Sequence, residues 1–237
     1  MQALPARPVL YDLPGTHEVQ VGEGVYLLRP QTPAGSNAPY RPETSSFMLI
    51  KPLDRAKEIV AAVLTPGDVA VDATTGNGHD TVFLAERVGP AGHVYGFDVQ
   101  EEAIGRTRQR LAGAGLAERV TLFARGHEAL RETLPAGVHG HVAAVMFNLG
   151  YLPGSDHHRI TRPETTVPAL DAALDVLRPG GVLTVVVYPG HPGGAEEAGA
   201  VRNWAAALDP HRYLAVRYDL LNRPHHPPWL LAVEKRD

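Results

Sequence analysis

At 237 residues the chain suits one α/β domain, or one domain with an appendage. Its 44% hydrophobic and 20% charged residues describe an ordinary globular protein, and the absence of cysteine excludes a disulfide framework, a thiol nucleophile and a thiolate zinc site. A formal charge of −4 argues against indiscriminate nucleic-acid binding, which rests on Lys and Arg neutralising phosphates, but is compatible with a local basic patch.

Residues 1–45 read as an N-terminal extension rich in Pro and Gly. Val19 and Val21, then Val25 and Leu27, alternate on either side of Gly22-Glu23-Gly24 and predict a small β-hairpin. The extension carries no evident chemistry. It could pack on the core, cover a sheet edge or join the interface of a homodimer, and packing is the simplest of these. The start Met1-Gln-Ala-Leu-Pro lacks the charged and apolar regions of a secretory signal, and no apolar stretch approaches ~18 residues. No membrane partner is therefore expected, and the expected address is cytoplasmic.

Residues 46–237 read as one domain. Ala56, Ile59, Val60 and Val63 recur at helical spacing after Pro52, and the pattern stops at Thr65-Pro-Gly-Asp68. Val69-Ala-Val-Asp72 is then a short apolar strand ending in a carboxylate. It breaks into the turn Ala73 to Asp80 and opens into a helix over Thr81–Val88. Gly76 and Gly78 lack a Cβ, so the loop can turn with positive φ and let a ligand approach the backbone. The helix after it points free N–H groups at whatever sits above the loop. A dinucleotide fingerprint would need a third glycine where Thr81 stands. The pattern present, Asp-x-x-x-Gly-x-Gly, resembles motif I of the class I methyltransferases, which bind S-adenosylmethionine. A carboxylate suits a ligand bearing an ammonium and a sulfonium better than one bearing phosphates.

Gly92 to Asp98 is a second strand ending in an acid, about twenty residues past the glycine loop, where doubly wound folds place the carboxylate that grips ribose hydroxyls. A helix follows over Glu101–Leu111 and a third strand over Arg119–Phe123. Gly126-His127-Glu128 comes next, where methyltransferases usually hold adenine. Val142–Phe147 is nearly all apolar, as a buried central strand should be. Pro168–Leu177 is expected to be helical, Arg178-Pro-Gly-Gly181 to turn, and Val182–Tyr188 to form a fifth strand. A helix over Glu196–Leu208 and strands over Tyr213–Leu220 and Trp229–Val233 complete the chain. Alternating β and α units closed by a strand pair predict a mostly parallel sheet with helices on both faces.

The fourth strand runs into Asn148-Leu149-Gly150-Tyr151-Leu152-Pro153-Gly154. Ligands of open α/β sheets bind beyond the carboxyl ends of the strands, so this loop shares a crevice with the glycine loop. An amide, a tight turn and an aromatic there resemble the Asn-Pro-Pro-Tyr loop of amine-modifying methyltransferases. Methyl transfer to nitrogen is an in-line displacement, so the acceptor's lone pair must lie along the methyl–sulfur axis. The Asn148 side-chain oxygen can accept an amine N–H and aim that lone pair, and Tyr151 can stack on a base.

Asp72 to Thr81, Phe97-Asp98-x-Gln100, Phe147 to Gly154, Tyr188-x-Gly-His191 and Pro227-Pro228 occur in this order. Together they resemble the small bacterial methyltransferases long labelled "putative rRNA methylase", whose members include the MnmM-type tRNA methyltransferases. The resemblance runs from about residue 48 to the end. It implies a Rossmann-like class I methyltransferase fold with a seven-stranded sheet, S-adenosylmethionine as cofactor and the tRNA anticodon region as partner. The implied reaction is methylation of the exocyclic amine of 5-aminomethyl-2-thiouridine at the wobble position, with rRNA or a small-molecule amine as the alternative acceptor. Cofactor contacts are implied at Asn77, Asp80, Asp98, Gln100 and His127, joining Asp72, Gly76 and Gly78 of the loop. Asn148, Tyr151 and His191 fall on the acceptor side. The family commonly continues Gly-Asp-Lys where this chain has Ser155-Asp156-His157, so Arg159 and Arg162 would have to replace one phosphate contact.

An alkylamine has an unperturbed pKa of about 10, and its ammonium form has no lone pair. His191, Tyr151 and Asp156 are the candidate proton acceptors, in that order. No metal is expected, because the histidine pairs 157–158 and 225–226 are chain neighbours, which rarely share a tetrahedral site. Trp204 and Trp229 read as core.

Overall fold

The computed structural model describes residues 17–21, 24–28, 49–150 and 160–237, the first two segments as backbone only. By its contacts the chain divides into two compact units, Met1–Ala38 and Pro39–Asp237. In the first, β1 (His17–Val21) and β2 (Gly24–Leu28) pair antiparallel, with Val19 opposite Tyr26.

The second unit starts with α1 (Pro52–Val63), which carries proline in its first turn, where a missing N–H costs nothing. The chain then alternates through β3 (Val69–Asp72), α2 (His79–Val88), β4 (His93–Phe97), α3 (Glu101–Gly113), β5 (Val120–Phe123) and the short α4 (Leu130–Thr133). It continues with β6 (Val142–Leu149), α5 (Pro163–Val176), β7 (Leu177–Val187) and α6 (Gly194–Ala206), and closes with β8 (Tyr213–Tyr218) and β9 (Trp229–Lys235). The seven strands are ordered β5-β4-β3-β6-β7-β9-β8; β9 runs antiparallel to both β7 and β8, and the other neighbours are parallel. This is the seven-stranded, mostly parallel Rossmann-like sheet expected from the sequence.

Alternation along the strands builds two cores. Ala70, Ala144, Met146, Val182 and Leu230 face one side and pack with Ala56, Val60, Leu84 and Leu111 of α1, α2 and α3. Val71, Val145, Phe147, Leu183 and Leu231 face the other and pack with Leu130, Leu170, Leu174 and Val201 of α4, α5 and α6. Phe147, Leu84 and Leu170 are almost wholly removed from water, which stabilises each by roughly 1.5–3 kcal/mol relative to an exposed position.

Three local expectations are corrected. Helix α2 begins at His79 rather than Thr81, because Gly78 takes the left-handed conformation at its N-cap. Helix α5 begins at Pro163, not Pro168; the backbone N–H groups of Thr165 and Thr166 both reach Arg162 O, and Pro168 is tolerated inside the helix. Residues 178–181 bulge out of β7 instead of preceding it: Val142 pairs with Leu177 and Ala144 with Val182, and Gly180 takes φ 72°. Trp229 is core as expected, whereas Trp204 is only partly buried and donates its indole N–H to Asp171 at 2.7 Å. Among the described residues no helix is long and apolar enough to cross a membrane.

Candidate active site

The sheet reverses its winding at β3, which has β4 on one side and β6 on the other, so the loops leaving β3 and β6 diverge and open a crevice. Two adjoining cavities occupy it. One of 360 Å³ is walled by Asp98, Gln100, His127 and Thr161, the other of 420 Å³ by Lys57, Asn77, Asp80 and Tyr188. Thr74, Asn148 and Gly150 face both.

The glycine loop is shaped by steric demand and clasped by α3. Gly76 and Gly78 take φ 51° and 80°. A Cβ on Gly78 would also stand 2.9 Å from Thr107 Oγ1 and 3.0 Å from its Cα, so glycine is required there twice over. Thr107 Oγ1 donates to Gly76 O at 3.1 Å, and Arg110 Nε to Asn77 O at 2.8 Å. Asp98 ties this loop to the start of α3 by accepting the N–H of Gly76 on one oxygen and that of Gln100 on the other, both at 2.9 Å. Burial pushes the Asp98 carboxyl above its ordinary value, while those two bonds oppose the rise. Each oxygen keeps a lone pair for a ligand hydroxyl.

Asp72 stands behind the loop, not in the cavities. It is fully buried, accepts the Thr81 hydroxyl at 2.6 Å and the Thr74 N–H at 3.2 Å, and joins the end of β3 to the first turn of α2. Burial first, then the nearby Asp80 charge, push its carboxyl up to about 7.

His127 is buried against the edge of Phe147, with ring centroids 5.5 Å apart. It hydrogen-bonds the Ala73 backbone, and burial holds its pKa below the ordinary value, so the ring is neutral. Its Nε2 has no partner, which leaves one lone pair aimed at a donor. The Thr75 hydroxyl, in the wall of the second cavity, is likewise buried without a partner. Buried polar groups without partners are uncommon in a folded protein, and these two belong to residues in the cavity walls.

Asn148 closes the floor between the two cavities. Its backbone N–H donates to Thr74 Oγ1 and its side-chain amide donates to an Asp80 carboxylate oxygen, both at 2.7 Å. A carboxylate can only accept, so this contact fixes which end of the amide is nitrogen. The Asn148 Oδ1 is thereby buried without a partner. The other Asp80 oxygen pairs with Lys57 at 2.8 Å. Asp80, expected on the cofactor side, thus also sets the orientation of the acceptor-side amide. Tyr188 lines the same cavity, and burial followed by the Asp80 charge raises its pKa, so its phenol stays protonated.

The acceptor loop begins and ends on a clasp. Gly150 N–H donates to Thr161 Oγ1 at 2.8 Å, and Thr161 N–H returns to Gly150 O at 3.0 Å. The Thr161 hydroxyl in turn donates to Glu197 at 2.7 Å, and Thr166 donates to the other Glu197 oxygen at 2.6 Å. The His191 ring lies against this clasp, 3.6 Å from where a Cβ on Gly150 would stand. Its Nδ1 meets Pro192 O at 2.9 Å, and a carbonyl only accepts, so Nε2 carries the lone pair. Tyr151, Asp156 and Arg159 lie outside the described residues.

Lys57, Thr75, Thr107, Arg110, Tyr188 and Glu197 were not singled out as site residues by sequence reasoning. Two of them left a signal. Tyr188 opens the Tyr188-x-Gly-His191 motif. Glu197 falls with Gly194 and Val201 on the buried stripe of α6, at spacings of three and four, where a carboxylate needs a reason to be.

The family model described as "Putative rRNA methylase" matches residues 94–234. The chain is 40% identical over 173 residues to a chloroplastic tRNA (mnm(5)s(2)U34)-methyltransferase of Arabidopsis thaliana, a match covering 70% of this chain and 62% of that protein, so it spans only about three-fifths of that relative's length. Among solved structures it resembles a protein of Clostridium thermocellum described as a "putative rRNA-methylase", with TM-score 0.77 and 41% identity, over 80% of this chain and all of the other. It also resembles a "putative methyltransferase" of Streptococcus mutans in complex with SAH, with TM-score 0.71 and 35% identity, over 79% and 99% of the two chains.

Proposed function

The chain belongs to the family described as "Putative rRNA methylase", and from that premise we propose that it is an S-adenosylmethionine-dependent N-methyltransferase of the tRNA wobble position, converting 5-aminomethyl-2-thiouridine to its methylaminomethyl form. The observation that carries this reading is Asn148 Oδ1, held without a partner between two cavities by an amide nitrogen locked on Asp80. An unpartnered carbonyl oxygen beside a cofactor cleft is suited to receive the N–H of an amine. The Arabidopsis relative's name supports tRNA and that base. The reading includes a cytoplasmic site of action and the anticodon region of tRNA as partner.

The residues present fit the donor. Asp98 offers two acceptor oxygens to a ribose diol, the neutral His127 Nε2 and the Gln100 side chain line the wall suited to adenine, and Asn77, Asp80 and Thr75 line the second cavity. Bound there, S-adenosylmethionine supplies a methyl group made electrophilic by its sulfonium.

This chain's own part is orientation and proton control. Asn148 Oδ1 accepts an amine N–H and turns the nitrogen lone pair into line, the kind of positioning that can be worth several kcal/mol of barrier. The walls of the cleft desolvate the amine and disfavour its ammonium form. His191 Nε2 takes the proton when the amine arrives charged, and the protonated Tyr188 phenol serves as a donor, not a base.

Nucleoside mass spectrometry of tRNA from a deletion strain tests the assignment: unmethylated 5-aminomethyl-2-thiouridine accumulates, whereas an unchanged profile sinks the tRNA acceptor and points to rRNA or a small amine. For the base, the alanine variant of His191 should lose rate where the amine is still charged and an imidazole is neutral, and lose little in acid, where an imidazole is itself protonated; an unaltered pH–rate profile removes the assignment.

A further inference from the structure

A third cavity, larger than either half of the cleft, lies on the other side of the β7 loop. It has a volume of 530 Å³ and shares no lining residue with them. Arg202 reaches it from α6, Arg217 from β8 and Arg223 from the turn before β9, with His225 and His226 beside them. One acid, Asp219, belongs to its wall and is already engaged by Arg217 at 2.5 Å. Arg217 also lies over the buried Trp229 ring, its guanidinium carbon 4.6 Å from the ring centre. Arg202 and Arg223 are exposed and make no ion pair among the described residues. In a chain of net charge −4, Arg202 and Arg223 beside the Arg217–Asp219 pair leave this wall with two uncompensated cations, a local reversal of sign.

The turn that completes the groove is strained. His225 and His226 take φ 63° and 51°, a conformation uncommon outside glycine. Their carbonyls lie 3.6 Å from where a Cβ on Gly190 would stand. The groove therefore abuts the loop leaving β7, where Tyr188 lines the cleft and the next residue, Pro189, lines the groove.

We propose that this groove binds the phosphodiester backbone of the RNA substrate beside the nucleotide that enters the cleft. The inference rests on the RNA-substrate reading above. A polymer whose base occupies the cleft must run its flanking phosphates over the adjoining surface, one residue away. Guanidinium groups match phosphate oxygens with paired N–H donors and hold their charge at every working pH. Arg217 is anchored by Trp229 and Asp219, and Arg202 and Arg223 have no ion-pair partner among the described residues to lose on binding.

The test compares wild type with the double variant Arg202→Glu, Arg223→Glu and the double variant Arg202→Lys, Arg223→Lys. Measured are tRNA affinity across a salt series, steady-state kinetics, S-adenosylmethionine affinity by calorimetry, and melting temperature. In the glutamate variant the tRNA Kd and KM rise by about tenfold or more, and the salt slope flattens by about one unit per lost contact. Cofactor affinity and melting temperature are retained, and the lysine variant keeps most of the RNA affinity. Equal tRNA affinity and slope in wild type and glutamate variant overturn the groove while leaving the RNA reading intact, as does a loss confined to kcat. Failure of the wild type itself to bind tRNA at low salt overturns both.

Discussion

Replacing Asp72 with asparagine should make the protein more stable at neutral pH and flatten its pH dependence. Asp72 is fully buried, and its carboxyl is raised from an ordinary 3.8 to about 7. Because the folded value lies above the unfolded one, the folded state binds more protons between them, so stability falls as pH rises from 3.8 to 7 and is level beyond. Two pH units of that window lie between pH 5 and 7, worth about 3 kcal/mol. Asparagine never ionises and keeps the shape of the site. Its Oδ1 can accept the Thr74 N–H, and its amide can donate to Thr81 Oγ1 where the carboxylate accepted that hydroxyl. Titrating groups remote from this site are common to both proteins and cancel in the difference; Asp80 and Asp98, whose charges raise the Asp72 carboxyl, do not, because a neutral amide removes that repulsion. Urea denaturation at pH 5, 6, 7 and 8 reads the effect. The variant should gain about 2–3 kcal/mol on wild type across the series, or roughly 5–10 °C in melting temperature for a chain of this length. Parallel stability curves would refute the reasoning, because they would mean that Asp72 carries no proton the unfolded chain has lost.

Three further outcomes are expected. Truncating Asn148 to alanine lowers kcat by about 100-fold, the scale of a mispositioned reactant, with cofactor affinity little changed in calorimetry; a large loss of that affinity would move Asn148 to the donor side. His127→Phe keeps a ring against Phe147 but removes the unpartnered Nε2 and the bond to the Ala73 backbone, so S-adenosylmethionine affinity falls about tenfold, the worth of one hydrogen bond, and the melting temperature drops by a few degrees for the lost Ala73 bond. Gly78→Ala meets both a left-handed backbone and Thr107 at 2.9 Å and should cost about 2–4 kcal/mol in denaturant melts, and a variant as stable as wild type would contradict the geometry.

The sheet was legible because its strands are short apolar runs with fixed punctuation, and the crevice followed from where the acids and the amide fall at strand ends. Asp98, Gln100, His127 and Asn148 all reach the cleft walls as their positions in those runs imply. What escaped is contact over long sequence distance. Thr107 meets Gly76 across 31 residues, and the Thr74 hydroxyl meets Asn148 across 74, so no local spacing announces either bond. Asp72 misled for a related reason: strand-end carboxylates read as ligand contacts, but the Thr81 hydroxyl turns this one inward. Helix α5 starts five residues before the expected Pro168 because Pro163 fills the first turn and Pro168 is accommodated inside the helix.

Strand β6 has a consequence for how this protein can change. Within it Ala144 and Met146 face one core, and Val145, Phe147 and Leu149 the other, so Asn148 is aimed by parity as well as by its bonds. A substitution in β6 alters the volume of one layer, and repacking can absorb it. One residue inserted or deleted between Ala144 and Phe147, where the alternation is strict, shifts the phase of the strand, exchanges its two faces, and turns the amide away from Asp80 in the same stroke. Evolution and engineering can therefore edit this strand in place but cannot change its length.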